Sequence, residues 1–175
     1  MSTLKGARGD LVIPGSKMNH LEVPLETFLS PESILFFDQV DQKEVIEELF
    51  KTLHPPLEGF DLLQIQQKIF FREHLSSTCI GSQIAIPHLK VQGLERFYLA
   101  LGIHKEGIEW GAIDGMAVRL ILLILGPEVD PIHYLNFLSN LTKRLKNHKL
   151  KEKLLGSSSP QEAYQIFMTE DESWI

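Results

Sequence analysis

The chain reads as a single α/β domain, and three observations predict it. Val118 to Leu125 (V-R-L-I-L-L-I-L) is an almost unbroken apolar run of strand length, the pattern of a central strand buried on both faces and so covered by helices on both sides. Phe97, Leu99, Leu101 and Ile103 alternate with Tyr98, Ala100, Gly102 and His104, which predicts a second strand of period two. Helical spacing recurs before and after these strands, at Val45, Ile46, Leu49, Phe50 and Leu53 and again at Tyr134, Leu138, Leu141 and Leu145.

Taken in order, residues 1–26 mix Gly6, Gly9, Pro14, Gly15 and Pro24 with scattered charges and no period, so they read as a flexible N-terminal extension to a domain spanning 27–175. Ile34 to Phe37 predicts a strand, and the helix after it stops at His54-Pro55-Pro56. Asp61 is placed to cap a second helix whose inward stripe is Leu62, Ile65, Ile69 and Phe70. Arg72 then falls near that helix's carbonyl end, which favours a cation. Ile84 to Ile86 form a short strand ended by Pro87, which has no N–H and a fixed φ, so His88 leaves a constrained backbone. Ser159-Pro160-Gln161-Glu162 is a capping box opening a last helix with Ala163, Ile166 and Phe167 inward. His104 falls on the polar phase of its strand, and the basic run Lys143 to Lys153 reads as a solvated helix face.

Composition narrows the function. With 175 residues, 43% hydrophobic and 23% charged, there is apolar material for one packed core. A net charge of −6 excludes nucleic acid as the main partner, since phosphate-backbone binding needs clustered Lys and Arg, and suits a basic protein partner. Cys79 is the only cysteine, so no internal disulfide forms, and no Cys/His spacing suggests a metal. No cofactor is implied. Leu11-Val12-Ile13 is too short for a signal core and no run reaches membrane-spanning length, which predicts a cytoplasmic protein with no direct membrane insertion.

The chemistry concentrates in R-E-H-L-S-S-T-C-I-G-S-Q-I-A-I-P-H, Arg72 to His88. A neutral imidazole nitrogen is a good nucleophile towards phosphorus, and the protein's task is then to aim the ring and neutralise phosphoryl oxygens. Arg72 supplies a charge of the right kind, because a guanidinium grips two oxygens in one plane where an ammonium cannot. The run resembles the signature of the fructose/mannitol-type IIA proteins of the bacterial phosphoenolpyruvate-dependent phosphotransferase system, including their nitrogen-regulatory branch. Arg72, Glu73, Ser77, Thr78, Ile80, Gly81, Ile84, Ala85, Ile86, Pro87 and His88 fall in register with it. Trp110 to Pro127 and His133 to Thr142 look like the family's later strand and second-histidine helix.

The resemblance implies a mixed sheet of about five strands with helices on both faces. It also implies that His88 takes a phosphoryl group from the histidine-containing phosphocarrier protein, with Arg72 and His133 stabilising it. Its outlet would be a sugar-specific IIB domain or a regulatory target protein, and a free-standing IIA with an added N-terminal stretch leans towards regulation. His133 follows Asp130-Pro131, an N-cap and first helical residue, so its ring sits where the helix dipole disfavours imidazolium and favours bound anions. The rival for His133 is a capping residue under a loop, and for Arg72 an ordinary surface ion pair with Glu73 or Glu58.

Thr78, Gly81 and Ser82 precede the short strand, where hydroxyls and free N–H groups could support phosphate or simply make a turn. Gln83 departs from the pattern, which has glycine there; if the position needs φ > 0, glutamine carries a steric cost. Cys79 is expected to be a small buried apolar residue without a catalytic role. A different class of function, a non-catalytic interaction module that keeps the fold, stays open, with Gln83 as its one hint.

Overall fold

In a computed structural model of the chain, residues 29–169 are described; the expected extension over 1–26 lies outside them. The elements in chain order are β1 (Ile34–Phe36), α1 (Gln42–Lys51), α2 (Leu62–Leu75), β2 (Cys79–Gly81), β3 (Ile84–Ala85), β4 (His88–Val91), β5 (Tyr98–Ile108), β6 (Val118–Pro127), α3 (Pro131–Lys146), α4 (His148–Leu155) and α5 (Pro160–Met168).

The apolar run becomes β6, the middle of a mixed sheet ordered β1-β5-β6-β3-β2. β5 pairs antiparallel with β6, β1 parallel with β5, and β2 antiparallel with β3. A sixth strand, β4, lies on the same edge of β6 as β3, where about five strands were expected. The physical reason is Pro87. Register runs unbroken across it, with Ala85 opposite Ile121 and His88 opposite Ile124, but proline donates nothing, so one parallel line is read as two short strands. The Pro87 carbonyl still accepts from Ile124 N–H at 2.9 Å.

Helices cover both faces because both faces are apolar. On one, Leu99, Leu101, Ile103, Leu120, Leu122 and Ile124 pack under α3, α4 and α5; on the other, Ala100, Ile121, Leu123 and Leu125 pack under α1 and α2. The caps follow the sequence: Asp41, Asp61 and Asn147 accept from the N–H groups of Glu44, Gln64 and Leu150 at 2.9, 3.1 and 3.2 Å. At α5, Ser159 Oγ accepts from Glu162 N–H, but the Glu162 carboxylate answers to Ser158, taking its N–H and hydroxyl at 2.9 Å each. The reciprocal half of the expected box is displaced by one residue, and those two bonds hold the Glu162 carboxyl below its usual range.

Two expectations are corrected. His104 is buried, 4% exposed, because the second face of β5 is covered rather than wet; its Nδ1 accepts from Gly107 N–H at 2.8 Å and closes the end of the strand. The basic run is not merely solvated: Arg144 donates to the Phe167 and Thr169 carbonyls, and Lys151 Nζ to the Ser82 carbonyl at 3.3 Å, so these cations tie α3 to α5 and α4 to the β2–β3 turn.

Candidate functional site

His88 opens β4 at the mouth of a cavity of about 250 Å³ lined also by Arg72, Ser77, Thr78, Cys79, Ile80, Ile86, Leu138 and Thr142. The ring is fixed from both ends. Its backbone belongs to the ladder with β6, and Nδ1 lies 2.7 Å from the Ile86 carbonyl oxygen. A carbonyl only accepts, so Nδ1 carries the proton and Nε2 keeps its lone pair. The half-buried His88 therefore presents one defined nucleophilic nitrogen.

Arg72 reaches this cavity from the last turn of α2. It makes no ion pair among the described residues, which removes the surface-pair alternative. Glu73, its neighbour and candidate partner, is committed elsewhere: Oε1 accepts from Thr78 N–H at 3.0 Å, Trp110 Nε1–H at 2.8 Å and the Gln42 amide at 3.3 Å, and Oε2 from the Thr78 hydroxyl at 2.7 Å. Glu73 thus joins α1, α2, the start of β2 and the β5–β6 connection. Sequence reasoning took Glu73 as part of the signature and as an alternative ion-pair partner for Arg72, and gave it no structural role; the acceptor capacity of a carboxylate beside Thr78 and upstream of Trp110 was the available signal.

The remaining candidates are placed as follows. Thr78 is buried and lines the cavity, its N–H and hydroxyl both spent on Glu73. Gly81 and Ser82 lie on the β2–β3 turn, outside the cavity lining. His133 is exposed in the first turn of α3, whose N-cap Asp130 accepts from Ile132 N–H at 2.8 Å. Its ring is not among the cavity's lining groups, while its neighbour Tyr134 comes within 6.4 Å of the His88 ring, centroid to centroid. Cys79 is half-buried on the cavity wall, and burial raises its thiol pKa, which keeps it protonated and a poor nucleophile.

Gly81, Ser82 and Gln83 have φ of 79°, 56° and 67°, so the position where the family pattern has glycine does require a left-handed backbone. Ser82 and Gln83 are the two central residues of a tight hairpin, a turn that favours Asn-Gly. The strained turn is held by Asp114, whose Oδ2 accepts from Ser82 N–H at 3.1 Å, and by the Gln83 carbonyl, which accepts from Arg119 and Leu120 N–H at 2.8 and 3.1 Å. Gln83→Gly keeps those backbone bonds and removes the Cβ conflict. It is expected to stabilise the fold by about 0.5–1 kcal/mol, read as a raised Tm.

Comparisons with known proteins bear on the family and the fold. The family described as "Phosphoenolpyruvate-dependent sugar phosphotransferase system, EIIA 2" matches residues 27–169. A nitrogen regulatory protein of Pseudomonas aeruginosa is 28% identical over 146 residues, covering 82% of this chain and 94% of the relative. The fructose-specific EIIABC component of Bacillus subtilis is 28% identical over 137 residues, 78% of this chain but 22% of that longer protein. Among solved structures, Nitrogen Regulatory Protein IIA-Ntr from Neisseria meningitidis superposes with a TM-score of 0.73 at 28% identity, covering 82% of this chain and 98% of the other. No helix among the described residues is long and apolar enough to cross a membrane. With that family's model matched over residues 27–169 and a fold shared with the solved relative, the chain belongs to the EIIA 2 family of the phosphoenolpyruvate-dependent sugar phosphotransferase system.

Proposed function

We propose that this chain is a phosphohistidine carrier whose acceptor atom is His88 Nε2. The lone pair on Nε2 attacks phosphorus on the histidine-containing phosphocarrier protein; a new P–N bond forms as the donor's P–N bond breaks, and the donor imidazole leaves with its electron pair. The ring gains positive charge in this step, which the Nδ1–H shares with the Ile86 carbonyl. Arg72 neutralises phosphoryl oxygens, and His133, in the positive field of the α3 N-terminus, assists the group as it passes in or out. Thr78, Gly81 and Ser82 support phosphate indirectly, by holding the wall and turn beside the cavity. The observation that carries this reading is the pairing, in one cavity, of a histidine whose Nδ1 is engaged by a carbonyl and an arginine that makes no ion pair among the described residues.

Of the two outlets, control of a regulatory target is favoured over delivery to a IIB domain. Two relatives named as nitrogen regulatory proteins are matched over 94% of their own length and three others over 62–74%, against 62% for a fructose-specific EIIA component and 22% for a fructose-specific EIIABC component. Exposed Phe71 and Leu75 on α2 and Ile132 and Leu135 on α3 give either partner apolar surface beside Arg72 and His133.

The test is to incubate the protein with phosphoenolpyruvate, enzyme I and the phosphocarrier and to look by mass spectrometry for one acid-labile phosphoryl group. Unlabelled protein would leave the interaction module as the better account. His133→Ala is expected to accept the label but to pass it on at least about tenfold more slowly; wild-type quench-flow rates in that variant would remove His133 from the site.

A further inference from the structure

The Tyr134 ring lies beside two others, with centroids 5.6 Å from Phe97 and 6.4 Å from His88, and Lys90 Nζ stands 4.7 Å from its centre. Close packing sets that position. A Cβ at residue 126 would come within 2.7 Å of Tyr134 Cε2 and 2.5 Å of Phe97 Cε1, so Gly126 on β6 is what lets the ring seat. Tyr134 is 4% exposed, yet its hydroxyl has no hydrogen-bond partner among the described residues.

A buried tyrosine hydroxyl is normally satisfied. A phenylalanine would fill the same space without an orphan, so the oxygen is best explained by an acceptor that arrives. Two observations say where it arrives and with what charge. Tyr134 is not itself among the residues lining the cavity that holds His88 and Arg72, but its ring stands 6.4 Å from the His88 ring, and Leu138 and Thr142, one and two turns further along the same face of α3, do line it. The Arg72 guanidinium also acts electrostatically on the Tyr134 hydroxyl, partly opposing the burial that pushes its pKa up to about 12. The group is therefore a neutral donor at any working pH, lying in the field of the cation that would hold an anion.

Resting on the phosphohistidine reading, we propose that Tyr134 is a phosphoryl-binding residue, whose hydroxyl donates to an oxygen of the phosphoryl group on His88. The bond exists only in the phosphorylated state, so it lowers the free energy of that state alone. Tyr134 thereby sets how tightly the protein holds the group against return to the phosphocarrier.

Tyr134→Phe removes one oxygen and keeps the ring against Phe97 and Lys90. Measured as the equilibrium distribution of phosphoryl groups between the phosphocarrier and this protein, the constant is expected to fall about tenfold, with a changed ³¹P chemical shift of the phosphohistidine. The Tm of the unphosphorylated variant is expected to equal or exceed the wild type, since no resting bond is lost. A wild-type equilibrium constant and ³¹P shift in Tyr134→Phe would overturn the role of Tyr134 and leave His88 standing. A lower Tm in the unphosphorylated variant would also overturn it, by revealing a resting partner. Wild-type protein that never takes the label would overturn both readings together.

Discussion

His88→Ala is expected to take up no acid-labile phosphate at all, a loss of roughly 10⁵-fold or more that falls below detection. His88 is the only imidazole among the cavity's lining residues, so no neighbour can take over with Arg72 already in place. The fold should survive. The ring is half-buried and contributes one hydrogen bond, to a carbonyl that water can reach once the ring is gone, so the cost is about 1 kcal/mol and Tm shifts by a few degrees. Mass spectrometry after incubation with the donor system, paired with a thermal melt, separates lost chemistry from lost structure. Label that persists in His88→Ala and disappears only when His133 is replaced as well would move the acceptor to α3 and sink the proposed mechanism.

Glu73→Ala carries the largest expected effect on stability. The substitution strips the acceptor from the Thr78 N–H and hydroxyl and from Trp110 Nε1, and Thr78 and Trp110 are 7% and 3% exposed. Water can rescue the half-buried Gln42 amide more readily than these three. At about 1–3 kcal/mol for each of these buried donors left unpaired, the loss is about 3–9 kcal/mol, read as a fall in Tm of at least about 6 °C. Glu73→Gln is the informative control. Its carbonyl oxygen can stand at Oε1 and keep three of the four bonds, while its amide donates to a Thr78 hydroxyl that turns to accept, so the cost is about 1 kcal/mol. Equal melting of Glu73→Ala and wild type would show that the hub has no weight.

Fold class, most elements and the pairing of Arg72 with His88 were legible because each depends on local pattern: an apolar run, a period, a proline before a histidine. What was not legible depends on neighbours far along the chain. His104 looked solvent-facing because alternation names a face but not what covers it, and α1 and α2 cover this one. Glu73 lies 37 positions from Trp110 and 31 from Gln42, so its reach could not be read from spacing. Tyr134 was read correctly as an inward residue, yet periodicity says nothing of a hydroxyl left without a partner. The glycine-to-glutamine departure at Gln83 was visible, and its sign could be settled only by the backbone angle.

The unbroken register of β3 and β4 against β6 has a consequence for signalling. The ring proposed to carry the phosphoryl group opens β4, all four of whose residues pair with the central strand β6, and that ladder resists displacement. On the phosphohistidine reading, gain or loss of a phosphoryl group there has little leverage to remodel the chain. On that reading a partner senses it chiefly as a change of electrical sign at the rim, close to two negative charges arriving beside Arg72 and Lys90, neither of which makes an ion pair among the described residues.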